Sequence, residues 1–410
     1  MQATSSMSQL LDALLLQAGY NTAVVTIGSA LLGAGAGAIG VFVLLRGRAL
    51  VSDAISHATL PGLVAAFILG VLITGEGRNL PFLMLGAAFS ALVGVLAVAW
   101  ITMHTRLPED AAIGTVLSTF FALGVVLMTV VQVMPAGGQA GLESFLLGAT
   151  AGMLRSEALI IAGAAAIVLV LVLALQKELG LVAFDPAYAG ARGYDVHRLD
   201  LVTLGLLLAV VVIGLNTVGL ILIIALAIIP PVAARLWTER LVPMVAIAAA
   251  LGAVGSFLGA AISSSAPRLP TGAIIVLTLF GLFCLSLAVS PGRGILAWAV
   301  RHRRFRRIVH ERQGLLAVAR GEPVFDPYTW RILRRRGFIR RSGQPSPEGI
   351  AAASAMARDQ ALWNRYREAW PEEAVALADW SLRPIEEVLP PDLIAELEGT
   401  FEPEPVESGR

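Results

Sequence analysis

The sequence predicts an all-α polytopic membrane protein. A bundle of about eight to nine transmembrane helices is followed by a cytoplasmic, α-rich C-terminal domain. Three observations predict this. Apolar residues make up 57% of the 410 and charged residues only 14%, against about 25% charged in ordinary soluble domains. The charges are uneven, with 23 Asp, Glu, Lys and Arg in residues 1–290 and 36 in residues 291–410. The apolar residues also fall in runs near the ~20 needed to cross a bilayer.

The candidate spans are 22–45, 56–74, 80–102, 111–133, 157–175, 200–215, 217–235, 242–264 and 271–290. The run 141–153 is too short to cross and reads as a re-entrant or interfacial helix. Within 200–235, "GLNTVGL" interrupts one long apolar stretch, and Asn216 with Gly219 predicts a tight turn. Gly33, Gly35, Gly37 and Gly40 lie within two turns, a pattern that lets another helix backbone approach closely. Pro61, Gly62, Gly219 and Pro230, with Pro231 adjacent, are the expected helix breaks. Broken membrane helices line cavities and not lipid, which favours a transporter over a simple anchor.

With nine spans the loops alternate sides. Arg46, Arg48, Arg106, Lys177, Arg192, Arg198, Arg235 and Arg240 fall on one side, and Arg78, Arg155 and Arg268 on the other. The excess puts the first set in the cytoplasm, the N-terminus outside and the C-terminal domain inside. No Lys or Arg precedes Arg46, so a secretory signal peptide is not expected. Cys284 is the one cysteine and reads as a small buried residue.

Lys177 is the only lysine and follows Gln176. A phosphate-cradling loop needs Gly-Lys-Ser/Thr, so the chain is not expected to be an enzyme, and any ATP used is hydrolysed on another polypeptide. Asp53 and His57 enter the second span at i, i+4 spacing, which places them on one helix face. Both residue types bind borderline divalent cations, and ionisable groups inside a span are functional candidates. The other reading is a charge at the headgroup level, with His57 satisfied by a carbonyl. In the polar stretch 181–200, "FDPAYAGARGYD" reads as a short helix capped by Asp185, with Pro186 in its first turn. A protruding helix of this kind can receive force from an external ATPase; a plain connecting loop is the alternative.

"LLRGRALVSDAISHATLPG" resembles the opening signature of the metal-importing ABC permease family, which serves manganese, zinc and iron. The likeness continues through "PEDAAIGTVLSTFFALGVVL", "AFDPAYAGARGYDV", "TVGLILIIALAIIPPVAARL" and "LPTGAIIVLTLFGLFCLSL", in order, over roughly residues 10–292. The resemblance implies a permease subunit that pairs with a second permease, two ATPase subunits and an extracytoplasmic metal-binding lipoprotein in the bacterial inner membrane. It implies that Asp53 and His57 handle the ion. Phe184, Asp185, Pro186, Tyr188, Arg192 and Gly193 would lie in the ATPase-coupling helix. No cofactor is held permanently; the metal is cargo. A stand-alone secondary metal carrier and a membrane-tethered DNA-binding regulator are the alternatives.

The expected organisation is a permease domain at 1–292, a basic juxtamembrane linker helix at 293–322, a cytoplasmic domain at 323–400 and a disordered acidic tail at 401–410. "RHRRFRRIVHERQ" (301–313) is expected to attract anionic membrane lipid. "DPYTWRILRRRGFIRRSGQPSPEGIAAASAMARDQALWNRYREAW" reads as helix, short hairpin, helix. It resembles the winged-helix and dimerisation region of metal-dependent repressors of the diphtheria-toxin-repressor kind. By this resemblance the extension belongs more to the manganese and iron branch, which favours manganese. The pattern departs from the repressors where Asp359 follows Arg358, and at Arg383, Pro384, Ile385, Glu386 and Glu387. Metal sensing in the repressor manner is therefore not expected. Arg334 to Arg336, Arg340 and Arg341 could grip phosphates, but docking on the ATPase or partner permease is the expectation, not nucleic acid.

Overall fold

The computed structural model describes residues 11–75, 77, 79–134, 155–265, 269–377 and 383–399. It divides into two compact units, Met1–Leu296 and Ala297–Arg410. The described residues of the first are almost wholly helical: α1 (Tyr20–Leu45), α2 (Val51–Thr74), α3 (Leu80–His104), α4 (Glu109–Val133), α5 (Arg155–Phe184), the short α6 (Pro186–Ala191), α7 (Val196–Val218), α8 (Leu220–Trp237), α9 (Leu241–Ser264) and α10 (Thr271–Val289). Eight of these are long and apolar enough to cross a membrane; α8 is the shorter apolar helix. The run 141–153 lies outside the described residues.

α1 is the hub of the bundle, buried along most of its length and packed on α5, α7, α8 and α9. Its glycines allow this. A Cβ on Gly33 would overlap the Gly252 carbonyl of α9, and one on Gly37 would stand 2.5 Å from the Ala248 oxygen. Gly40 meets Ala227 and Pro231 of α8, whereas a Cβ on Gly35 would stand 3.4 Å from Ala165 of α5, in ordinary contact. The stripe thus receives three helices. Gly62 on α2 and Gly86 on α3 make a second close crossing, each without room for a methyl against the other's carbonyl.

Several expectations need correction. α2 runs unbroken through Pro61 and Gly62, and α8 through Pro230 and Pro231. Each proline removes one backbone donor, but the packed neighbours hold the helix together. Asn216 lies inside α7, and the turn before α8 is Gly219 alone, at φ +83°. α5 continues to Phe184, so the polar stretch begins helically. Cys284 is exposed, not buried. The buried positions of α10 (Thr271, Ile275, Leu279, Ser286) follow a helical stripe that omits it.

α11 (Ile295–Ala319) begins with the last two residues of the first unit, and the second unit continues with α12 (Pro327–Arg335), α13 (Pro347–Ala369), α14 (Pro371–Ala376), a 3₁₀ turn at Ile385–Glu387 and α15 (Pro391–Gly399). Between α12 and α13 the chain makes one isolated antiparallel bridge, Ile339 with Pro345. One small core holds Leu315, Leu333, Ile339 and Ala353; another gathers Leu362, Trp363, Tyr366, Ile385 and Leu397.

Candidate metal-handling site

α2 begins at Val51, which puts Asp53 in its first turn and His57 one turn further on. Asp53 Oδ1 lies 3.2 Å from His57 Nε2, and both side chains are partly exposed. Neighbouring hydroxyls are spent on their own helix: Ser52 donates to the Ala49 carbonyl, Ser56 to Ser52 and Thr59 to Ser56. His57 Nδ1 is buried without a hydrogen-bond partner among the described residues. The Phe121 ring of α4 meets the imidazole edge-on at 5.0 Å. A buried polar atom with no partner is costly. A carboxylate beside an imidazole that has an open nitrogen is a donor pair suited to a divalent cation.

The pair is incomplete alone. Among the described residues no group of three or more His, Cys, Asp and Glu is placed to hold a metal. Two protein donors suit transient contact better than a closed structural site, which takes four.

Sequence reasoning used Arg46 and Arg48 only to assign orientation, and read no role for Glu109 or Asp200. The structure brings all four together. Arg46 grips Asp200 with two nitrogens, at 3.1 and 2.6 Å, and donates to the Val182 carbonyl at 3.3 Å. Arg48 pairs with Glu109 and lies 3.1 Å from Asp200. The available signal was four charges abutting apolar runs, where an unpaired charge is expensive.

α6 forms as its residues dictate. Asp185 accepts from the Tyr188 amide at 2.9 Å, Pro186 takes the first turn, and Gly193 at φ +88° ends the segment. Arg192 Nε donates to the Tyr188 hydroxyl at 2.9 Å. Phe184, Tyr188 and Tyr194 are exposed while Ala189 is fully buried.

In the C-terminal unit the residues that depart from the repressor pattern serve packing. Asp359 accepts from the Ile385 amide at 2.6 Å and pairs with the buried Arg312 at 3.2 Å. Burial pushes the Asp359 carboxyl up and the Arg312 guanidinium down from their usual ranges. Arg358 pairs with Glu398 and, at 3.5 Å, with Glu386.

The profile of the ABC 3 transport family matches residues 20–290. The chain belongs to that family. It is a multi-pass membrane permease subunit of an ABC importer, not an enzyme. Within the family it is similar to the manganese transport system membrane protein MntC of Bacillus subtilis, 42% identical over 298 residues, covering 73% of this chain and 67% of the relative. It is also similar to the zinc transport system membrane protein TroC of Treponema pallidum, 39% identical over 292 residues, covering 71% and 96%. Among solved structures it resembles PsaBC from Streptococcus pneumoniae in complex with Fab, at TM-score 0.60 and 31% identity over 70% of this chain and 97% of that one.

Proposed function

We propose that the chain carries a divalent transition metal into the cell, manganese in preference to zinc or iron, and that Asp53 and His57 contact the ion in transit. The single observation carrying this reading is the pair itself: Asp53 Oδ1 lies 3.2 Å from His57 Nε2 at the start of α2, with both side chains partly exposed. A cation entering between them bonds the Asp53 oxygen and the Nε2 lone pair together, with the ring proton carried on Nδ1. An oxygen and an imidazole with no thiolate suit manganese, zinc and ferrous iron alike. The manganese relative's slightly higher identity favours manganese.

The remaining ligands come from water, the delivering lipoprotein or a second permease. Force for switching access comes from a partner ATPase docked on α6 and its flanks, through Phe184, Tyr188 and Arg192. In this arrangement the N-terminus faces outward and the C-terminal unit lies in the cytoplasm, where it docks on the ATPase or the partner permease. Arg301 to Arg307 meet anionic headgroups. Proteoliposomes holding the permease with its ATPase are expected to take up manganese(II) with ATP and not with a non-hydrolysable analogue. Equal uptake without ATP would make the protein a stand-alone carrier.

A further inference from the structure

The ion pair and α6 are far apart in sequence, and a charge cluster lies on the route between them. Arg46 touches both roots of α6. Its guanidinium donates to Val182, two residues before the end of α5, and to Asp200, in the second turn of α7. α6 is fastened to those same roots. The Asp185 amide donates to the Leu181 carbonyl at 2.9 Å, and the Tyr194 amide to Ala189 at 3.1 Å. A displacement of α6 therefore reaches Arg46 from two sides.

From there the cluster leads to the candidate site along two helices. Arg46 and Arg48 flank Gly47, at φ +73°, in the tight turn between α1 and α2. The Arg48 carbonyl accepts the Val51 amide at 2.9 Å, and the Leu50 carbonyl accepts that of Ala54 at 3.1 Å, so the turn is bonded onto the first turn of α2, which holds Asp53. Arg48 is also ion-paired with Glu109 in the first turn of α4, the helix that supplies Phe121 against His57. One cluster thus anchors both helices that form the site.

The cluster has two arginines and two carboxylates, with side chains 14–32% exposed. Beside it is a cavity of ≈ 90 Å³ whose polar lining includes Arg48, Thr102, Glu109, His197 and Asp200. That space is large enough to admit water, which would solvate Arg48 if it moved off either carboxylate. Coupling between distant sites needs an element with two arrangements, and in this cluster the second would be Arg48 released from one of its carboxylates.

We propose that Arg46, Arg48, Glu109 and Asp200 are positioning residues that relay movement of α6 to Asp53 and His57. The proposal rests on the importer reading. Its test is metal uptake per ATP hydrolysed, in proteoliposomes of the full complex supplied with manganese(II)-loaded binding lipoprotein. In Asp200→Asn, hydrolysis should stay within about two-fold of wild type while uptake per ATP falls about ten-fold; Asp200→Glu, which keeps the charge, should recover most of it. Wild-type uptake per ATP in Asp200→Asn would overturn the relay. So would hydrolysis and uptake falling in the same proportion, the mark of a merely structural role. Should Asp200→Asn fail to assemble, Glu109→Gln, at the more exposed carboxylate, gives the same readout with the same two overturning results. A wild-type complex that moves no metal with ATP removes the importer reading, and the control shows this before any variant is measured.

Discussion

His57 carries two unlike nitrogens, and the difference is set by its neighbours. The i, i+4 spacing to Asp53 was legible in the sequence, because helical periodicity alone puts the two on one face. The bare Nδ1 and the Phe121 edge were not, since both depend on where α4 packs. Asp359 gives the opposite lesson. As a departure from the repressor pattern it raised a question about metal, and its partners answer in terms of packing: a buried arginine and the Ile385 amide. Asp359→Ala leaves Arg312 with Gln360 as its main partner, and should destabilise the C-terminal unit by about 3 kcal/mol, the cost of breaking a buried pair. Thermal unfolding of the full chain checks this. A carboxylate at the start of α12 makes a pH-dependent contribution. Asp326 accepts from the Thr329 hydroxyl and amide, which hold its carboxyl below the usual aspartate range. Its stabilisation is therefore present above the unfolded-state value and is lost as pH falls through the lower folded-state value. The protection factor of the Thr329 amide, by hydrogen exchange, should be higher in wild type than in Asp326→Ala at pH 7, and the difference should vanish in acid.

Among the elements, α1 shows how far a glycine pattern can be read. Four small residues within two turns announced close packing, but not which helix each would meet. The structure separates them. Gly35→Ala places its methyl in ordinary contact with Ala165 and should be neutral or stabilising by up to about 1 kcal/mol, the helix-propensity gain. Gly37→Ala pushes a methyl against the Ala248 backbone and should cost about 1–3 kcal/mol. Unfolding midpoints of the two variants in detergent should move in opposite directions or differ clearly in size. The prolines were harder. Pro61 and Pro230 remove a backbone bond wherever they stand, but whether a helix breaks depends on its neighbours, and α2 and α8 are held by theirs. The α6 segment was the most legible element, because its cap, its proline and its closing glycine are local signals.

At the scale of the whole molecule, composition separated a part with membrane-crossing helices from a charge-rich C-terminal part, because the cost of a charge in lipid is large enough to mark the sequence itself. The order of the apolar runs then placed most helices to within a few residues. What no run could show is the meeting of Arg46, Arg48, Glu109 and Asp200, up to 154 residues apart in sequence. Among the described residues no third donor is grouped with Asp53 and His57, so any variant should be measured in the assembled complex. The most direct measurement is uptake of manganese by cells whose only importer contains this chain, comparing wild type with Asp53→Ala and His57→Ala at matched expression. Each variant should take up metal at least about ten-fold more slowly. Wild-type rates in both would remove the pair from the ion's path and contradict the mechanism.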